Sequence, residues 1–87
     1  MDWIMNQKQR KKLILEVVDN QIADHDPPET KETLERLMAE GISQEQAREL
    51  IACVVASEMF DMLKNEEVYK EQRYIAALNN LPDLPED

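Results

Sequence analysis

The run Leu50-Ile51-Ala52-Cys53-Val54-Val55-Ala56 is apolar on every side, in a chain of which 33% of residues are charged. A helix without a polar face has to be covered from several directions. Only 87 residues are available for that, so the run must sit among the other helices of its own chain or against a second copy. A single glycine and the lack of β-branched residues alternating with polar ones argue against a sheet. The expected fold is all-α: a small bundle of three longer helices plus a short C-terminal helix. It forms one domain over residues 1–87, with 1–5 and 82–87 as tails.

Local signals divide the chain. The first helix is expected from about residue 6 to 24, with Leu13, Ile14, Val17, Val18 and Ile22 at helical spacing. Trp3, Ile4 and Met5 either extend it or fold back over its start. His25-Asp26-Pro27-Pro28 ends it, because a residue before proline is pushed out of the α region. Asp26 is the expected cap of the second helix, with proline at its first position and Glu29 closing a capping box. Leu34, Leu37 and Met38 form the expected buried face. Gly41 stands where a left-handed terminating residue is wanted.

Ser43 caps the third helix, about 44 to 64, with Gln46 as its box partner. Its buried face is expected to hold Ala47, Leu50, Ile51, Val54, Val55, Met59, Met62 and Leu63, widened by Cys53, Ala56 and Phe60. A fourth helix fits about 69 to 80, with Tyr74, Ile75, Leu78 and Leu81 inward, and a proline-punctuated acidic tail follows.

Charge and cysteine usage narrow the function classes. The net charge is -9, but Lys8, Arg10, Lys11 and Lys12 against Asp2 leave the first twelve residues at +3 and the remainder at -12. So acidic a body repels phosphate backbones and anionic membranes, and nucleic acid is a disfavoured partner. The basic residues read as a solvated helical face, with a short nucleic-acid-binding arm as the alternative. One cysteine excludes an internal disulfide, and Cys53 reads as a small core residue. No apolar stretch approaches the ~20 residues of a membrane span, and the N-terminus lacks a signal-peptide core. The expectation is a cytoplasmic protein without a membrane partner.

Few residues suggest chemistry. Glu16 and Asp19 lie three apart on the first helix, and Glu45 and Glu49 lie four apart on the third. Facing one another, these four carboxylates could hold a divalent ion, although di-iron bundles also use Glu-x-x-His pairs that this chain lacks. His25, the only histidine, reads as a helix-terminal residue. Ser43 is accounted for by capping, and neither it nor Ser57 has a histidine within reach. One glycine cannot build a phosphate-cradling loop. No catalytic residue and no cofactor are assigned.

Leu37-Met38-Ala39-Glu40-Gly41-Ile42-Ser43-Gln44-Glu45-Gln46-Ala47 reads as helix, tight turn, helix. It resembles the DNA-binding helix-turn-helix and the ubiquitin-associated domain. A recognition helix opening with two acids and one base would be poor electrostatics for DNA, and the third helix is too long and apolar for the second family. The plainer reading is an αα-corner. Three further blocks carry another resemblance: Glu16-Val17-Val18-Asp19-Asn20-Gln21-Ile22-Ala23, Pro27-Pro28-Glu29 with Thr33-Leu34-Glu35-Arg36-Leu37, and Arg73-Tyr74 ahead of Leu78. With Gly41 and Ala47, they resemble a family of small uncharacterised bacterial helical proteins over about residues 13 to 81. That resemblance implies the helical fold and no activity. It also implies that a His-x-x-x-His pair of relatives falls on Glu45 and Glu49, and a first-helix histidine near Leu15.

The reading is a non-enzymatic helical module that self-associates or binds another protein. Its expected state is a homodimer, and Val54, Val55, Met59 and Met62 are the interface candidates. The alternatives are a divalent-metal-binding helical protein using Glu16, Asp19, Glu45 and Glu49, and a nucleic-acid-associated regulator with a basic N-terminal arm.

Overall fold

Four helices follow one another in the computed structural model, which describes residues 6–85. They are α1 (Gln7–Asp24), α2 (Pro28–Ala39), α3 (Gln44–Asn65) and α4 (Glu71–Asn80). Among the described residues there is no strand. The fold is all-α, with three longer helices of 18, 12 and 22 residues and a short final one of 10. Trp3, Ile4 and Met5 lie outside the described residues.

Caps set the helix starts. Asn6 opens α1 with a full capping box: its side chain accepts from the Gln9 amide at 2.9 Å, and the Gln9 side chain accepts from the Asn6 amide at 3.2 Å. Ser43 Oγ accepts from the Gln46 amide at 3.1 Å and starts α3 as the expected cap, without the reciprocal Gln46 side-chain bond of the expected box. The expected Asp26 cap of α2 is a correction. Pro27 occupies the cap position, with no side-chain cap bond, and Pro28 is the first helical residue. Asp26 is used otherwise, since its amide donates to the Gln21 carbonyl at 3.0 Å to close the end of α1.

Three helices end by the same device. At Gly41 (φ 98°), the Gly41 amide donates to the Met38 carbonyl at 3.0 Å and the Ile42 amide to the Leu37 carbonyl at 3.1 Å. These bonds satisfy two carbonyls that the helix leaves unpaired. His25 and Glu66 hold the same left-handed conformation, both at φ 53°, although neither is glycine. His25 is thus a terminating residue of α1, exposed at its end.

The core is built from one face of every helix. Val18, Leu37, Ala47, Ile51, Val54 and Leu78 are fully buried, joined by Leu34, Ala52, Val55, Tyr74 and Leu81. Val17 and Met38, expected inward, are exposed. Helix α3 packs against the other three, while α4 lies against α2 and α3. Leu81, expected inward at the start of the tail, is buried, and residues 82–85 beyond it are exposed. Arg36 of α2 secures that end, donating to the Leu78 and Leu81 carbonyls, each at 3.0 Å.

A polar knot joins α1, α2 and α4 beside the apolar core. Gln21 of α1 accepts from the Thr30 hydroxyl of α2 and from the Tyr74 hydroxyl of α4, each at 2.8 Å. Thr30 and Tyr74 are essentially inaccessible to water, so these bonds remove a desolvation cost that unpaired hydroxyls would carry. Burial pushes the Tyr74 phenol up to about 12. Nearby, Arg73 bridges Glu58 at 2.9 Å and Glu67 at 3.0 Å, pinning the α3–α4 connection.

Candidate functional site

Helix α3 carries apolar side chains on two faces set about 120° apart around its axis. At ~100° of rotation per residue, Ile51, Val54, Val55 and Glu58 share one side, and Ala52, Ala56, Met59 and Leu63 share another. The first face is the core. The second face, with Cys53 and Phe60 beside it, borders an open groove of about 740 Å³ against Gln7, Arg10, Leu13 and Ile14 of α1.

The groove is exposed because the helices are unequal. Asp19 near the end of α1 meets Arg48 near the start of α3, and Gln7 at the start of α1 borders the same groove as Leu63 near the end of α3, so the two helices run antiparallel. The last turn of α3 extends beyond the start of α1, and α2 and α4 cover only the core face. Leu13 and Met59 are consequently 45% and 43% exposed, Phe60 59% and Leu63 82%. Cys53 is also exposed, which corrects its reading as a core residue. It shares the groove with the Lys11–Glu49 pair, Arg10 and Gln7 as well as with the apolar side chains.

The expected interface set divides. Val54 and Val55 are buried inside the single chain, at 0% and 6% exposure, so they are core residues and not surface ones. This is a correction with a geometric cause: the successive residues 54 and 55 point into the bundle, where Ile51 and Ala47 also point. Met59 lies on the groove, and Met62 is half-buried outside its lining. The residues missed as surface candidates are Leu13, Cys53, Phe60 and Leu63. A signal that could have found Leu63 is the alternating three- and four-residue spacing of Glu49, Ala52, Ala56, Met59 and Leu63; the spacing carries no such signal for Leu13, Cys53 or Phe60.

The four carboxylates considered for a metal do come to neighbouring parts of α1 and α3, but cations of the same chain engage three of them. Arg48 clasps Asp19 through two bonds of 2.9 and 2.8 Å and lies 3.5 Å from Glu45. Lys11 contacts Glu49 at 2.7 Å. The hydrogen bond from Lys11 holds the Glu49 carboxyl below its ordinary range, and Glu49 raises Lys11 in return. Glu16 is exposed. Among the described residues, no group of three or more His, Cys, Asp or Glu is arranged to hold a metal ion.

The basic segment is part of a regular helix and not an extended arm. Lys8, Arg10, Lys11 and Lys12 all fall within α1, and Lys11 is committed to Glu49. Gly41 and Ser43 shape the turn between α2 and α3, and Arg48, the one base near the start of α3, is turned to Asp19. Among the described residues, no helix is long and apolar enough to cross a membrane. Comparison with known proteins finds no matching family, no similar curated protein and no similar solved structure.

Proposed function

We propose that this chain is a non-enzymatic helical module that self-associates through the groove between α1 and α3. The observation that supports this reading is the contiguous apolar lining of Leu13, Ile14, Met59, Phe60 and Leu63, left open by a chain that buries its other large apolar helix face. Soluble monomers seldom present such a surface beyond a few hundred Å². A two-fold pair covers the same patch on both copies without additional sequence. Each buried methylene contributes ~0.8 kcal/mol on leaving water, so a few such side chains can drive association.

Light scattering coupled to size exclusion tests the proposal. The expected mass at micromolar concentration is twice that of the 10.2 kDa chain. A mass of one chain at every concentration would overturn it. Leu63→Glu places a charge on a side chain that contributes little to the monomer fold, so it should yield a folded monomer with an unchanged helical circular-dichroism spectrum.

A further inference from the structure

The two ends of the groove differ in size and in charge. Along α3, the end near Glu49 is lined by the small side chains Ala52, Cys53 and Ala56, and the other end by the large Met59, Phe60 and Leu63. The small end carries the Glu49 carboxylate together with the Lys11 ammonium that contacts it. Beside the large end stands Lys64, whose ammonium is 6.0 Å from the centre of the Phe60 ring. A surface with a small end and a large end is complementary to itself in shape when reversed.

Resting on the self-association reading, we propose that two copies pair with their α3 helices antiparallel, across a two-fold axis beside Ala56. Reversal about that axis sets Phe60 of each copy against Cys53 of the other, and Lys64 of each copy beside Glu49 of the other. The register follows from the spacing: Glu49 and Lys64, like Cys53 and Phe60, are placed almost symmetrically about Ala56 and Ser57. A parallel pair would instead bring Phe60 against Phe60 and Lys64 against Lys64, crowding the large ends and placing like charges together. The three-four spacing of Ala52, Ala56, Met59 and Leu63, of which Met59 and Leu63 are exposed, is the pattern by which two helices interlock side chains along a seam. Alanine at the crossing permits helix axes as close as ~8 Å.

Cross-linking distinguishes the arrangement. With Ala56 next to the axis, Ala56→Cys in a Cys53→Ser background brings the two new thiols within the ~7 Å Cα separation that a disulfide tolerates. In the unaltered chain the two Cys53 residues are displaced from each other by roughly 10 Å along the helices, beyond that limit. Under mild oxidation, non-reducing electrophoresis should show the Ala56→Cys, Cys53→Ser protein converting to a covalent dimer at least ~10-fold faster than the unaltered protein. A dimer by light scattering with cross-linking no faster than that of Cys53 would overturn the antiparallel arrangement and leave self-association standing. A monomer by light scattering, for both the unaltered and the substituted protein, would overturn both. Ala56 is only half-buried and the exchange is small, so circular dichroism should confirm an unchanged fold.

Discussion

Two faces of α3 are similarly apolar and have opposite fates. Ile51, Val54 and Val55 are sealed in the core, while Met59, Phe60 and Leu63 remain open to water one to three turns further along. Composition does not separate them. What separates them is the length and placement of the neighbouring helices: α1, α2 and α4 converge on the first face, whereas among the described residues only α1 borders the second. An apolar run therefore reports that a helix must be covered, and not which copy of the chain covers it.

The sharpest way to break this comparison is to truncate one residue on each face. Ile51→Ala removes a fully buried side chain and should destabilise the monomer by ~2–5 kcal/mol, measured by chemical denaturation. Equal sensitivity to Leu63→Ala in the monomer would show that the two faces are not distinct.

The buried side also contains the polar knot, which makes it sensitive to pH. The fold raises the Tyr74 phenol to about 12 from its ordinary 10.0, so the folded state favours the neutral phenol. The corresponding stability is complete below pH 10, and it is lost as the pH rises through about 12. The loss should be on the order of 2 kcal/mol, because each tenfold change in proton affinity between the folded and unfolded chain is worth ~1.4 kcal/mol. Denaturant titrations across that range would show it, and Tyr74→Phe should remove most of the slope. A slope unchanged in Tyr74→Phe would assign the effect to another group.

Caps provide a smaller contrast that concerns neither face. Ser43→Ala should destabilise by ~1 kcal/mol, since it removes the acceptor for the Gln46 amide. Asp26→Ala should cost well under half of that, because no side-chain bond of Asp26 caps α2. Thermal melts would rank the two, and equal losses would indicate a cap at Asp26 after all. The smallest expected effect is that of Leu63→Ala on the monomer, under ~0.5 kcal/mol, as for surface substitutions generally.

Much of the fold is legible in local signals. The interruption at His25-Asp26-Pro27-Pro28, Gly41 as a left-handed terminator and Ser43 as a cap mark boundaries that hold within a residue or two. Each works through atoms a few residues apart, so sequence order is enough. The same reasoning fails at Asp26, whose backbone is taken up by the closing turn of α1. It also cannot foresee the Gln21–Thr30–Tyr74 knot, in which Thr30 and Tyr74 are 44 positions apart. The candidate site is legible in part: periodicity points to Met59, but it puts Val54 and Val55 on the wrong side and Leu13 in the core.

By itself, the sequence determined four helices, their approximate limits and the requirement that α3 be covered on several sides. These follow from short-range hydrogen bonding and from the 3.6-residue period, which act along one helix at a time. Only the tertiary structure decided that Lys11 and Arg48 claim Glu49 and Asp19, that Cys53 is exposed and that the apolar groove opens beside α1. Those outcomes depend on how far one helix extends past another and which faces meet. Such relations arise between segments distant in the chain, and the periodicity within any one segment does not encode them.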